Sequence, residues 1–201
     1  MIIGILGYGS LISNPGSEIE AAMTGRIPGV QTPFRVEFSR TSRVREGAPT
    51  LVPVATGGGH VQGVVLVLHE STTETEAQDM LYRRERNRVG TTDLYTDMDP
   101  AHPDSAVLGR LDNFAGLTVV FHAALRPNIE DPAPGHLAQL AIASARLPSG
   151  DVHRDGISYL LDAKRDGVMT PLMPGYEEEI LRRTGANSLA EAWYVARRPK
   201  T

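Results

Sequence analysis

Apolar and polar positions divide the chain into strands gathered near its start and helices gathered near its end. Ile2 to Leu6 is a continuous apolar run closed by Gly7, the pattern of a buried strand. From Phe34 to Arg45 (FRVEFSRTSRVR) apolar and polar residues alternate, which predicts a strand with one solvated face. Leu51 to Ala55 and Val61 to Leu68 continue the β-rich part, with Gly57-Gly58-Gly59 as the turn between them. Further strands are expected at Thr92 to Met98 and Leu117 to Ala124.

Helices are marked by their caps. Ser17-Glu18-Ile19-Glu20 predicts a capping box, and Gly25 a helix end. Thr73, with Glu76 three residues on, opens a second helix in which Ala77, Met80, Leu81 and Arg84 recur at helical spacing and which ends near Glu85. Three more are expected at His136 to Arg146, Ile157 to Arg165 and Tyr176 to Arg183, the last closed by Gly185 with arginines in its final turn. This order predicts an α+β fold, a small mixed sheet or barrel flanked by helices, rather than an alternating doubly wound one. The connector Asn128 to Gly135 (NIEDPAPG) precedes too little chain for a second domain, so residues 1–201 are expected to form one domain.

Composition narrows the function classes. The 201 residues, 41% hydrophobic and 22% charged, suffice for a core. The absence of cysteine excludes disulfides, thiolate metal sites and a cysteine nucleophile. A net charge of -4 removes the general attraction to nucleic acid and anionic lipid, which leaves a small molecule as the expected partner. The N-terminal apolar stretch has no preceding Lys or Arg and is too short for a secretory signal or a membrane span, so a soluble, cytoplasmic protein is expected.

The first strand runs into Gly7-Tyr8-Gly9-Ser10-Leu11-Ile12. A dinucleotide site needs a third glycine where Ile12 stands, and Arg35 and Glu37 do not suit a buried parallel second strand. A serine-hydrolase reading also fails, since Gly9-Ser10-Leu11 lacks the Gly-x-Ser-x-Gly elbow. What fits is a strand-to-loop turn whose N–H groups face a carboxylate or a developing oxyanion.

Tyr8-Gly9-Ser10-Leu11 resembles the Tyr-Gly-Ser motif of the gamma-glutamylcyclotransferase superfamily. A second match is Gly63-Val64-Val65, then a helix, then Leu81-Tyr82-Arg83-Arg84-Glu85, similar to the strand, helix and terminal glutamate of that family. A looser third is Tyr159, Gly167 to Pro171, and Tyr176 to Leu181. The resemblance implies the gamma-glutamylcyclotransferase-like fold, Glu85 as the catalytic acid and base, and substrate binding by Gly7, Tyr8, Gly9, Ser10, Leu11 and Tyr159. It implies no metal and no cofactor. The reaction is attack of a gamma-glutamyl compound's own alpha-amine on its gamma-carbonyl, giving 5-oxoproline and a free amine. Intramolecular attack gains effective molarities of order 10⁵ M or more when the atoms are held in line, so positioning carries much of the catalysis. Glu85 would take a proton and return it, a role that calls for a carboxyl shielded from water and for arginine neighbours that point elsewhere.

The sequence leaves open the leaving amine and the oligomeric state, and it admits a binding or regulatory module that keeps the cradle without turnover. Each residue also has a plainer reading. Glu85 is a solvent-facing helix residue, Tyr8 and Tyr159 pack in the core, and Ser10 forms a turn. Arg35, Arg40, Arg43 and Arg45 read as a solvated strand face. Asp97, Asp99, His102 and Asp104 read as a polar loop rather than a metal site, and the histidines show no paired metal spacing.

Overall fold

The structure is a computed structural model that describes residues 1–96, 107–146 and 154–198. In chain order the first elements are β1 (Ile3–Gly7), α1 (Ser17–Ala22), β2 (Met23–Gln31), β3 (Arg35–Ser42), β4 (Ala48–Val54), β5 (Gln62–Leu68) and α2 (Glu74–Glu85). Then follow β6 (Leu108–Phe114), β7 (Leu117–Ala123), α3 (Pro134–Arg146), α4 (Gly156–Arg165), α5 (Met173–Thr184) and α6 (Leu189–Arg197). They form two compact units, Met1–Pro33 with Val61–Arg126, and Phe34–His60 with Pro127–Thr201.

The first unit holds a five-stranded sheet in the order β2-β5-β1-β7-β6. β1 pairs antiparallel with β5 and parallel with β7, so the sheet is mixed. β2 and β6 stand at its edges, and the sheet is open rather than closed into a barrel. All five residues of β1 are buried, which is why the strand is a continuous apolar run. Ile3, Ile5, Leu66, Leu68, Val119 and Phe121 pack against Ala77, Met80 and Leu81 of α2. That helix begins as expected: the Thr73 hydroxyl accepts from the Glu76 amide at 3.2 Å, and the Glu76 carboxylate accepts from the Thr73 amide at 2.7 Å.

Three segments of this unit differ from the sequence reading. The capping box at Ser17 does not form. Gly16, at φ +90°, takes the cap position without a side-chain bond, which puts Ser17 in the first turn; Glu18 pairs with Arg83 and accepts from the Gly90 amide. The helix ends at Ala22, and Gly25 lies inside strand β2. Pro28 is tolerated there because β2 is an edge strand, where a missing N–H leaves no ladder bond broken. The strand expected from Thr92 is absent over residues 92–96; Tyr95 instead donates its amide to the Asp79 carboxylate at 2.6 Å. β6 pairs with β7 through a two-residue turn, Ala115-Gly116, both at positive φ, the hairpin geometry that matches strand twist.

In the second unit β3 and β4 form a two-stranded antiparallel sheet with α3 and α4 against β4. β3 is not half-solvated: Val36, Glu37, Phe38 and Ser39 are all buried. Glu37 is satisfied inside by the Phe38 amide at 2.9 Å, the Leu172 amide at 3.2 Å and the Thr170 hydroxyl, which lets a charged residue occupy a covered face. Of the expected solvated arginines, Arg35 and Arg43 are exposed but Arg40 and Arg45 are half-buried. The Arg45 guanidinium lies 4.7 Å from the centre of the Tyr159 ring.

α4 is capped by Asp155, 2% exposed. Its carboxylate accepts from the Ile157 and Ser158 amides at 2.9 Å each, from the Ser158 hydroxyl at 2.8 Å and from the Trp193 indole at 2.7 Å. α6 lies beyond the helices expected from the sequence, although Ser188, whose hydroxyl accepts from the Glu191 amide, carries a Ser-x-x-Glu capping signature. Among the described residues no helix is long and apolar enough to cross a membrane.

Candidate active site

β1 delivers the chain to the Gly7–Leu11 turn through two close approaches. A Cβ on Gly63 of β5 would lie 2.6 Å from the Gly7 carbonyl oxygen, and one on Gly7 would lie 3.1 Å from the Leu11 Cβ. Both glycines therefore let backbone pass where a side chain would block it. Tyr8 is extended and 7% exposed, and its hydroxyl donates to the Ala123 carbonyl of β7 at 2.7 Å. Gly9, at φ +57°, starts a 3-10 turn through Leu11. The first amides of such a turn, those of Gly9 and Ser10, have no acceptor within it. Leu11 is buried in the core and Ser10 is half-buried.

Glu85 is the last residue of α2. A carboxylate there faces the negative end of the helix dipole, which disfavours it by about 0.3–1 kcal/mol. Its side chain is 10% exposed, so it is not the solvent-facing residue of the plainer reading. Of its arginine neighbours, Arg83 pairs with Glu18 at 2.6 Å, Arg86 lies over the Tyr82 ring and Arg88 pairs with Asp93 at 3.4 Å. Arg84 departs from the expectation that these side chains point away. Its Nη1 donates to the Glu85 Oε1 at 2.8 Å, while its Nη2 donates to the Ser10 hydroxyl at 3.0 Å and the Asn14 carbonyl at 2.8 Å. One guanidinium thus spans from the Glu85 carboxylate to the turn.

Tyr159 belongs to the second unit. It is 5% exposed, with its ring edge-on to Phe38 at 5.9 Å and its hydroxyl accepting from the Leu51 amide at 3.4 Å. Asp97, Asp99, His102 and Asp104 lie outside the described residues.

The model of the ChaC-like protein family matches residues 3–166, most of the chain. The chain belongs to the ChaC-like family. ChaC proteins are gamma-glutamylcyclotransferases of the superfamily that the turn and the terminal glutamate resemble, and the family implies a small-molecule gamma-glutamyl substrate. The open mixed sheet flanked by helices agrees with that fold. No curated protein matches the chain.

Sequence reasoning passed over His122, buried in β7 beside the Tyr8 anchor. Its Nδ1 lies 3.0 Å from the Ala123 carbonyl that also accepts from Tyr8. A carbonyl only accepts, so Nδ1 carries the proton. Room for the ring comes from Gly109 on β6, where a Cβ would fall 2.0 Å from Nε2. The pairing of a histidine with a glycine across two strands is visible only once register is known.

Burial holds the His122 imidazole below the usual histidine value of 6.5, against the opposing pull of the Ala123 carbonyl. The unfolded chain therefore takes up this proton first. Stability contributed by the neutral ring is complete above about pH 6.5 and falls as pH drops from there toward the folded-state value. Urea unfolding at about pH 7.5 and about pH 5.5 is expected to show this loss, and His122→Gln to reduce it. An unchanged acid-side loss in the variant would assign it to other groups.

Proposed function

We propose that this chain converts a gamma-glutamyl compound into 5-oxoproline and a free amine, with Glu85 as acid and base and the Gly7–Leu11 turn holding the glutamyl group. The reading is carried by one observation: the shielded Glu85 carboxylate is linked to the Ser10 hydroxyl through a single guanidinium. The substrate's alpha-amine forms a bond to the gamma-carbon, and the bond from that carbon to the departing nitrogen breaks. Glu85 accepts a proton from the attacking nitrogen and returns it to the departing one, so no external reactant is consumed. The alpha-amine titrates near 8 and arrives mostly protonated, so a second proton also leaves the attacking nitrogen, and the departing amine takes it up and is released as an ammonium ion. The Gly9 and Ser10 amides suit the substrate carboxylate or the tetrahedral oxyanion. The contribution of Tyr159 to binding rests on the family resemblance.

The test is a screen of glutathione, gamma-glutamyl amino acids, gamma-glutamylamines and glutamylated secondary metabolites, scored by 5-oxoproline release. Turnover of at least one class is expected; none with any would discard the reading. The Arg84–Glu85 ion pair favours a second reading, a module that binds the glutamyl group without turnover. Saturable binding of a gamma-glutamyl compound, with no 5-oxoproline formed, would establish that one instead.

A further inference from the structure

The geometry points to Arg84 as a positioning residue that sets the distance and angle between the Glu85 carboxylate and the Gly7–Leu11 turn. This inference rests on the reading of Glu85 as acid and base.

Neighbouring residues on a helix do not face each other, and exposed ion pairs contribute little. An Arg84–Glu85 pair has no reason to form on helical geometry alone. Here the two side chains are 15% and 10% exposed, and the guanidinium is drawn back toward Glu85 by groups on the turn. The Ser10 hydroxyl and the Asn14 carbonyl together fix Nη2, and the planar fork then aims Nη1 at Glu85 Oε1. The stem of Arg84 is also guided. It passes Gly16, where a Cβ would come 3.3 Å from the Arg84 Cγ.

Holding Oε1 leaves the second carboxylate oxygen, Oε2, which engages no partner among the described residues. That oxygen is the one available to exchange a proton with substrate. Arg84 touches neither nitrogen of the reaction in this scheme; it acts through Glu85. A planar fork fixes orientation, whereas a lysine in its place supplies one flexible point charge.

The experiment compares the wild type with Arg84→Ala and Arg84→Lys on the gamma-glutamyl compound that the wild type turns over fastest, with melting temperature as a check on folding. Arg84→Ala is expected to lower kcat by about 10²-fold, the cost of a misplacement of about 1 Å, with KM within about threefold, as for a group that binds no substrate. Arg84→Lys should fall between the two. If Arg84→Ala does not fold, Arg84→Lys decides alone, with kcat several-fold down at unchanged KM expected. A variant kcat equal to that of the wild type overturns the inference and leaves the proposed reaction standing. So does a raised KM at unchanged kcat, which would make Arg84 a substrate ligand. A wild type that releases no 5-oxoproline from any compound screened overturns the reaction and the inference together.

Discussion

Glu85→Gln is expected to lower 5-oxoproline release by roughly 10²–10⁴-fold, the range a positioned acid or base contributes. Glutamine keeps the shape of the side chain, and its amide oxygen still accepts from Arg84 Nη1 where the carboxylate now does. The helix end and the turn should therefore stay in place, and the melting temperature should stay near that of the wild type. What is lost is the capacity to carry a proton, so kcat should fall while KM changes little. Steady-state kinetics with a 5-oxoproline readout separate the two. Undiminished kcat would remove Glu85 from the chemistry and leave it a partner for Arg84.

The largest stability effect is expected from Asp155→Ala. The carboxylate serves two helix amides, a hydroxyl and the Trp193 indole from a position 2% exposed. Losing an N-cap costs about 1 kcal/mol, and leaving a buried donor unpaired costs about 1–3 kcal/mol. Taken together a loss of about 3 kcal/mol is expected, since such terms do not simply add. Trp193 is the chain's single tryptophan and sits on the group being removed, so urea unfolding followed by its fluorescence reports the site directly. A change below about 1 kcal/mol would mean that water replaces the carboxylate.

What the sequence made legible was what is decided locally. The Thr73 and Glu76 cap lies within four residues, and it places both the start of α2 and, with the helical spacing, its end at Glu85. The Tyr8 to Leu11 motif and the glutamate were likewise readable as a family pattern, although not how they are linked. The misreadings of β2, β3 and the arginines share one cause: partners distant in sequence. β2 carries Gly25, Pro28 and Gly29, residues that argue against a strand unless it lies at a sheet edge. The alternation in β3 suggested solvent on one side, but Glu37 meets Thr170 and Leu172 from 133 and 135 positions away. The arginines near Glu85 looked interchangeable in sequence. Arg84 is singled out by Ser10 and Asn14, 74 and 70 positions away.

The place of β1 between β5 and β7 has a consequence for ligand capture. With ladder partners on both sides, the backbone amides of this strand have no open flank, and their deuterium exchange is expected only through opening of the unit as a whole. The turn that continues from it starts from a stiff base, held further by the Tyr8 hydroxyl on β7. An incoming anion then meets a surface already set in shape, and little of its binding free energy is spent on ordering the chain beneath it.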